Sequence, residues 1–465
     1  MRRARVRRMR LLLACLLLSG SIACTATHAN APAPDAPASD AHAQGPLPFI
    51  ADDYARALAE AKAKGVPLFV DTWAPWCHTC RSMRAYVFTD KALAKHADRF
   101  VWLELNTDLT GNAAFQEKYP VEFWPTFFII DPREEKALLR FAGSATVPQL
   151  ERLFEDGELA YKGGATGADA LLARGDALYG EGKPAEAAEA LSLALAEAPA
   201  DWSRRGRALE SLLMAQYGAK QYVPCAQKAV AELPKVPRSL NLVNGVLNGL
   251  TCALAIPENT HETASLRYAL EAKALEVLAP PAIAMEADDR SGIYEVLVQA
   301  RTKEGDTAVA KRVAREWITF LEGEAAKAPN PEARTVFDSH RMLAAMALNQ
   351  PERAIPALEQ SERDLPQDYN PPARLAMLYL QTKQLDKALA ANDRALARVQ
   401  GARRLSVLGV RADIYVARKD EAGMVKTLED AISFSKTLPA SQVSASRMEA
   451  LEKRLAALKA PAAAP

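Results

Sequence analysis

The segment LFVDTWAPWCHTC at residues 68–80 decides the fold of the chain. It opens as a continuous apolar, strand-like run, which is typical of a central strand buried on both faces. The run breaks at Pro75 and restarts as a helix that carries Cys77 and Cys80. Residues three positions apart lie on one face of a helix, so the two sulfurs can close a small disulfide ring. The segment therefore predicts a redox site.

The two cysteines have different predicted roles. Cys77 stands at the start of the helix, where free amides and the positive end of the helix dipole favour a thiolate. We therefore expect Cys77 to be the attacking thiol and Cys80 to be the resolving thiol.

A Cys-x-x-Cys motif can also be half of a zinc site, but the second half is missing here. Cys225 and Cys252 are 27 positions apart, and no His-x3–5-His motif accompanies them. We therefore predict no metal and no other cofactor. Cys225 and Cys252 are expected to be small core residues or, in an oxidising compartment, a second disulfide.

Residues 48–157 resemble the thioredoxin-like thiol:disulfide oxidoreductases. Asp71, six residues before Cys77, matches the buried acid that in this family handles the proton of the resolving cysteine. Trp124-Pro125-Thr126 matches the segment whose cis-proline sits against the disulfide. The resemblance makes Cys77, Cys80 and Asp71 the catalytic residues, and it implies that Trp76, Trp124 and Pro125 form the surface on which a substrate docks.

Two features look most like the C-terminal periplasmic domain of DsbD-type thiol reductases. They are the pattern Phe88-Thr89-Asp90 and the long connection from Asn106 to Tyr119. Two residues depart from the family pattern. Glu104 stands where thioredoxins usually have a lysine, and Arg84 replaces an acidic position of the DsbD-type helix.

Two residues are expected to adjust the pKa of the cysteines. A protonated His78 beside the thiolate would stabilise it and make the disulfide more oxidising. Glu104, together with Asp71, would act in the opposite direction if both carboxylates stay charged. The sequence leaves the sign of the net effect open. Trp76 and Trp124 are expected to be exposed around the disulfide, because a substrate cysteine needs an apolar docking surface.

The chain order predicts an α/β sheet covered by helices on both faces. The expected elements are a helix at 52–64, strands at 68–72 and 100–106, a short helix at 111–118, a hairpin of strands at 127–131 and 137–142, and a closing helix at 147–156.

From residue 168 the strand signals vanish and alanine-rich helical periodicity begins. Residues 168–201 carry the small and apolar positions of a tetratricopeptide repeat, and further matches occur around 375–396 and 412–439. We therefore predict an α/β thioredoxin fold followed by an all-α tetratricopeptide-like solenoid, with an irregular helical domain as the alternative.

The N-terminus reads as an export signal. Six arginines fall within the first ten residues, and the apolar run Leu11 to Leu18 is far shorter than the ~20 residues of a spanning helix. Ser21-Ile22-Ala23-Cys24 resembles a bacterial lipobox except at Ser21, and Ser21 and Ala23 would equally suit ordinary cleavage. The Ala/Pro-rich stretch that follows is typical of an extended tether, so we favour lipidation of Cys24. Either outcome places the protein in the periplasm or cell envelope.

These patterns divide the chain into six predicted segments. They are a signal peptide at 1–23, an Ala/Pro-rich tether at 24–47, a thioredoxin-like domain at 48–157, a linker at 158–167, a tetratricopeptide-like domain at 168–458 and a disordered tail at 459–465.

Two function classes remain open. In the first, the protein exchanges or reduces disulfides in exported proteins, a membrane or periplasmic thiol donor or acceptor restores it, and the repeats bind a peptide or protein ligand. In the second, it is a helical-repeat scaffold whose thioredoxin-like domain binds partners without turnover. The 58 basic and 57 acidic residues nearly cancel, so nothing in the charge suggests nucleic acid.

Overall fold

The computed structural model describes residues 45–257 and 260–459. The predicted signal peptide, Cys24, the tether up to residue 44 and the tail from residue 460 lie outside the described residues. Within those residues, no helix combines the length and the apolar character needed to cross a membrane.

A five-stranded mixed sheet forms the first part of the structure, which we call the sheet region (residues 45–161). Its order is β1-β3-β2-β4-β5, with β1, β2 and β3 parallel and β4 and β5 antiparallel to their neighbours. The strands are β1 (Phe49–Ala51), β2 (Leu68–Trp73), β3 (Val101–Asn106), β4 (Thr126–Asp131) and β5 (Lys136–Ala142). The predicted strands are present, and β1 is an additional edge strand of three residues.

Helices cover both faces of the sheet. They are α1 (Tyr54–Lys64), α2 (His78–Ser82), α3 (Ala113–Lys118) and α4 (Val147–Tyr161), with a π-helical turn at Met83–Val87 and 3-10 turns at Lys91–His96 and Thr110–Asn112. Strand β2 is buried on both sides, as its continuous apolar run predicts. Phe69 packs with Phe154 of α4 on one face, while Leu68 and Val70 share the core of the other face with Ala57 of α1.

The predicted linker at 158–167 is wrong over its first half. Helix α4 does not end at Asp156 but continues to Tyr161. Gly157 lies against the side chain of Ile129 in β4, with no space for a Cβ atom between them. This glycine therefore permits close packing of α4 on the sheet and does not interrupt the helix.

The second part of the structure, which we call the helical region (residues 167–459), contains sixteen α-helices within the described residues. They are α5 (Gly167–Gly180), α6 (Pro184–Glu197), α7 (Arg205–Gly218), α8 (Tyr222–Glu232), α9 (Leu240–Ala255), α10 (His261–Leu278), α11 (Ala287–Lys303), α12 (Thr307–Lys327), α13 (Pro331–Thr335), α14 (Asp338–Ala347), α15 (Ile355–Asp364), α16 (Asn370–Gln381), α17 (Leu385–Leu396), α18 (Arg404–Arg418), α19 (Glu421–Ser435) and α20 (Ala445–Lys459). Short 3-10 turns lie at Leu233–Lys235, Pro351–Ala354, Gly401–Arg403 and Ala440–Gln442.

The three clearest predicted repeats each form a pair of packed helices. They correspond to α5 with α6, α16 with α17, and α18 with α19. In the first pair, a Cβ atom on Gly175 would come within 2.5 Å of the Leu191 side chain, so the glycine permits the close approach expected of this repeat position. Cys225 of α8 and Cys252 of α9 are fully buried and joined by a disulfide, which is one of the two predicted alternatives.

The helical region packs along the sheet region over most of its length. Near its start, the Tyr179 ring of α5 lies 3.6 Å from the Arg140 guanidinium of β5. Near its end, the Gln442 amide donates hydrogen bonds to the carbonyls of Thr107 and Leu109, at 3.1 and 2.9 Å. The face that carries Cys77 is enclosed between these two contacts.

Candidate active site

The two cysteines follow the C-terminal end of β2, the central strand of the sheet. Cys77 caps the N-terminus of α2, and the backbone N–H of Cys80 donates a hydrogen bond of 3.0 Å to its sulfur. The two sulfurs are joined by a disulfide. An amide that donates to the sulfur and the start of a helix both favour the thiolate form of Cys77 after reduction.

The cysteines are less accessible than the sequence suggests. Cys77 is 5% exposed and Cys80 is 1% exposed. Trp76 and Trp124 pack beside them with their rings 5.1 Å apart, and both are half-buried instead of exposed. The peptide bond between Trp124 and Pro125 is cis, as the family resemblance implies.

Both indole N–H groups of this pair point to polar partners on the loop after β3. Trp76 Nε1 donates to Asp108 Oδ1 at 3.2 Å, and Trp124 Nε1 donates to Thr107 Oγ1 at 2.8 Å. Burial raises the pKa of Asp108 to about 6, although the hydrogen bond from Trp76 opposes that rise. The loop thus fixes the two tryptophans that flank the disulfide.

Asp71 and Glu104 lie opposite one another on β2 and β3, and both are buried. Arg84 reaches Glu104 with an Nη2 to Oε2 distance of 3.0 Å, and its guanidinium lies 3.6 Å from the ring of Trp73. Burial lowers the pKa of Arg84, while the charges of Glu104 and Asp71 oppose this. The two departures from the family pattern thus form one buried ion pair between β3 and the π-helical turn at Met83–Val87.

His78 contacts a helical-region residue that the sequence analysis did not identify. Its Nδ1 lies 2.8 Å from Oδ1 of Asp288 on α11, and the Thr79 hydroxyl donates to the other oxygen of Asp288 at 2.9 Å. Burial alone would lower the pKa of His78, but the charges of Asp288 and Glu295 outweigh that effect and raise its pKa. This direction favours the protonated form of His78, next to Cys77 in the chain.

Further contacts hold the cysteine helix against the helical region. Arg81 forms an ion pair with Asp368 at 2.7 Å and donates to the Thr335 hydroxyl at 2.6 Å. The Asn370 amide donates to the Pro75 carbonyl at 3.1 Å. Every residue between and immediately after the two cysteines thus touches the helical region.

A cavity of about 350 Å³ lies beside this contact. One wall comes from His78, Thr79 and Trp124 with neighbouring residues of the sheet region, and the other comes from α7, α9 and α11. Its lining combines apolar side chains such as Leu213 with the carboxylates of Asp288, Asp289 and Glu295. The cavity lies between the two regions, next to the two residues that separate the cysteines, and it has room for a ligand.

Comparison with known proteins bears on the sheet region. A protein-family model described as "Thioredoxin-like" matches residues 50–132. The thiol:disulfide interchange protein DsbD of Pseudoalteromonas atlantica is 35% identical over 82 residues, which are 17% of this chain and 14% of that protein. Thioredoxin 1 of Synechococcus elongatus is 33% identical over 70 residues, which are 15% of this chain and 62% of that protein.

The match to DsbD therefore spans a small part of that relative's length. Among solved structures, a tetratricopeptide repeat protein from Parabacteroides merdae aligns with a TM-score of 0.40 and 12% identity, covering 63% of this chain and 99% of that one. Residues 50–132 are a thioredoxin-like domain that carries a Cys-x-x-Cys motif, and a series of packed helices follows it.

Proposed function

We propose that the protein is an exported thiol:disulfide oxidoreductase that exchanges or reduces disulfides in cell-envelope proteins. The observation that carries this proposal is the position of Cys77, whose sulfur caps α2 and accepts the N–H of Cys80 while packing with Trp76 and Trp124. A site that only binds partners would not need a sulfur pair joined in this way.

In the proposed reductive cycle, the Cys77 thiolate attacks one sulfur of a substrate disulfide. A mixed disulfide forms, and the other substrate sulfur leaves as a thiolate. Cys80 then loses its proton and attacks the Cys77 sulfur, which releases the second substrate thiolate and leaves the Cys77–Cys80 disulfide. We assign the buried Asp71 to accept the proton of Cys80, and an external dithiol must supply the two electrons that reset the site.

The remaining roles follow the same arrangement. Trp76, Trp124 and Pro125 would receive the substrate chain beside the disulfide, whereas His78 and the Arg84–Glu104 pair would set the pKa of the thiols. The helical region would recruit a protein or peptide partner. An N-terminal signal and lipidation at Cys24 would place the protein in the periplasm, anchored to a membrane.

One observation favours the second candidate, a scaffold without turnover. The helical region covers the disulfide, and we call it the cover in this role. The contacts of His78, Arg81 and Pro75 hold it in place. If the cover never opens, no protein disulfide reaches Cys77.

Insulin reduction in the presence of dithiothreitol separates the two candidates. We expect the full chain to accelerate precipitation of the insulin B chain, and we expect Cys77→Ser to abolish the acceleration. The double variant Cys225→Ala/Cys252→Ala is the matched control, because it removes the second disulfide, leaves Cys77 and Cys80 in place and should keep the activity. Wild-type protein that is no faster than dithiothreitol alone would support the scaffold instead.

The assignment of roles has its own test. With Cys80→Ser, the resolving thiol is gone, so a mixed disulfide between Cys77 and a partner should accumulate. Alkylation of the reduced wild-type chain that falls mainly on Cys80 would reverse the assignment.

A further inference from the structure

Three potential metal ligands from three different helices meet beside the cysteine motif. His78 comes from α2, Glu295 from α11 and His340 from α14. One ligand atom from each side chain lies within 4.8 Å of the others. The His340 Nε2 atom is 3.2 Å from Glu295 Oε2, and the two imidazole rings have centroids 3.8 Å apart.

Each histidine is held through its other nitrogen. His78 Nδ1 lies 2.8 Å from Asp288 Oδ1, and His340 Nδ1 lies 2.6 Å from the Ser291 hydroxyl. Ser291 is itself fixed by a hydrogen bond of 2.6 Å from Trp317 Nε1. Metal-binding histidines are characteristically oriented in this way by an oxygen partner on the nitrogen that does not bind the metal.

The nitrogens left for a ligand are the two Nε2 atoms. His340 is completely buried, and its Nε2 makes no hydrogen bond to any of the described residues despite its proximity to Glu295. A buried imidazole nitrogen without a hydrogen bond is uncommon, because burying a polar group without a partner costs free energy. An ion bound between this nitrogen and the Glu295 carboxylate, 3.2 Å away, would give both groups a partner.

We propose that His78, Glu295 and His340 bind a divalent transition-metal ion of the Zn²⁺ type. Two imidazoles and one carboxylate suit this ion, with a fourth position left open to water or a ligand. Ideal tetrahedral bonds of about 2.1 Å place ligand atoms about 3.4 Å apart. The ligand atoms lie within 4.8 Å of one another, so their widest separation must shrink by up to about 1.4 Å. The carboxylates of Glu295 and Asp288 together balance the charge of the ion.

The surroundings give the ion a route to the site. His78 and Glu295 line the cavity of about 350 Å³ between the two regions, whereas His340 lies behind them in the core. The open coordination position therefore faces the cavity. A bound ion would also connect α2 of the sheet region to α11 and α14 of the helical region, next to the disulfide.

The test uses the full chain in a Cys77→Ser/Cys80→Ser background, so that thiolates cannot supply the ligands. Zn²⁺ binding is measured by calorimetry after chelator treatment, and Co²⁺ is added as a spectroscopic probe of coordination. We expect one ion per chain. Glu295→Gln and His340→Ala should each weaken binding by more than about 100-fold, and Asp288→Asn should weaken it by about 10- to 100-fold.

His261→Ala is the matched control, because this histidine is exposed and lies outside the cluster. Because His340→Ala alters the core, Glu295→Gln at the cavity wall decides the matter if the former variant fails to fold. Absence of stoichiometric binding to the parent would overturn the proposal. Unchanged affinity in Glu295→Gln, or an equal loss in His261→Ala, would also overturn it. None of these measurements depends on thiol exchange. The metal-binding proposal can therefore fail or hold whether or not the protein is an oxidoreductase.

Discussion

Replacing Asp368 by asparagine should expose the disulfide without touching the sheet region. Asp368 pairs with Arg81 at 2.7 Å, and the two side chains are only 13% and 15% exposed. Removing one partner of a buried pair costs about 3–5 kcal/mol, and we take about 2–3 kcal/mol here because the pair is partly solvated and Thr335 remains bonded to Arg81. This free energy is lost from the contact between the sheet region and the helical region, because Arg81 and Asp368 lie on opposite sides of it.

The weaker contact should increase the fraction of molecules in which the helical region has moved away from the disulfide, which we call the opened form. A free-energy change of about 2–3 kcal/mol raises the population of the opened form by roughly 30- to 140-fold, at 1.4 kcal/mol per factor of ten. Because Cys77 is 5% exposed in the closed form, reduction of its disulfide by dithiothreitol should require opening. The rate of reduction should therefore rise by a similar factor in Asp368→Asn.

The assay follows reduction of the Cys77–Cys80 disulfide by acid quenching, alkylation and peptide mass spectrometry, which separates it from Cys225–Cys252. Glu322→Gln is the control, because Glu322 pairs with Arg353 within the helical region at an exposed site. We expect a change of less than about two-fold in the control. An Asp368→Asn rate within two-fold of wild type, in protein that is folded, would refute the idea that this contact gates the disulfide.

Three further predictions concern the charges around the site. Arg84→Ala should destabilise the protein by about 3–5 kcal/mol in urea unfolding, since it removes the cation from the buried Glu104 carboxylate, whereas Arg84→Met/Glu104→Gln should recover most of the loss. The pKa of His78 in an NMR titration should lie above 6.5 and should fall in Asp288→Asn. The stability that the His78–Asp288 pair contributes should be complete below pH 6.5 and should be lost as the pH rises through the raised pKa. Burial raises the pKa of Asp108 from 3.8 to about 6, so wild-type stability should fall as pH rises from about 4 to about 6. The variant Asp108→Asn lacks this loss and should be more stable relative to wild type at pH 8 than at pH 4.

The elements predicted from the sequence are those whose signals are local. The apolar run of β2, the helix start at Cys77 and the small residues of α5 and α6 each specify their own structure over a few positions. Strand β1 was not predicted, because three residues are too few to show a period and because its pairing with β3 joins residues far apart in the chain.

The features of the site that the sequence did not reveal are contacts across long stretches of chain. Arg84 and Glu104 each look like a departure from the family pattern, and only the fold shows that they form one pair. Asp288 is 210 positions from His78 and belongs to a helix with no motif of its own, so nothing local marks it as a partner. The half-burial of Trp76 has the same origin, since Arg403 of the helical region lies 5.0 Å from its ring.

The contact of His78 and Thr79 with Asp288 also constrains how this motif can be altered. The dipeptide between the cysteines is a natural place to adjust the reactivity of a dithiol, because its side chains lie next to the thiolate. In this chain the same two side chains also join the two regions. A dipeptide transplanted from another dithiol protein would therefore loosen the cover as well as shift the redox potential. Substitutions at positions 78 and 79 should be tolerated, in a library or among natural variants, chiefly when position 288 changes with them.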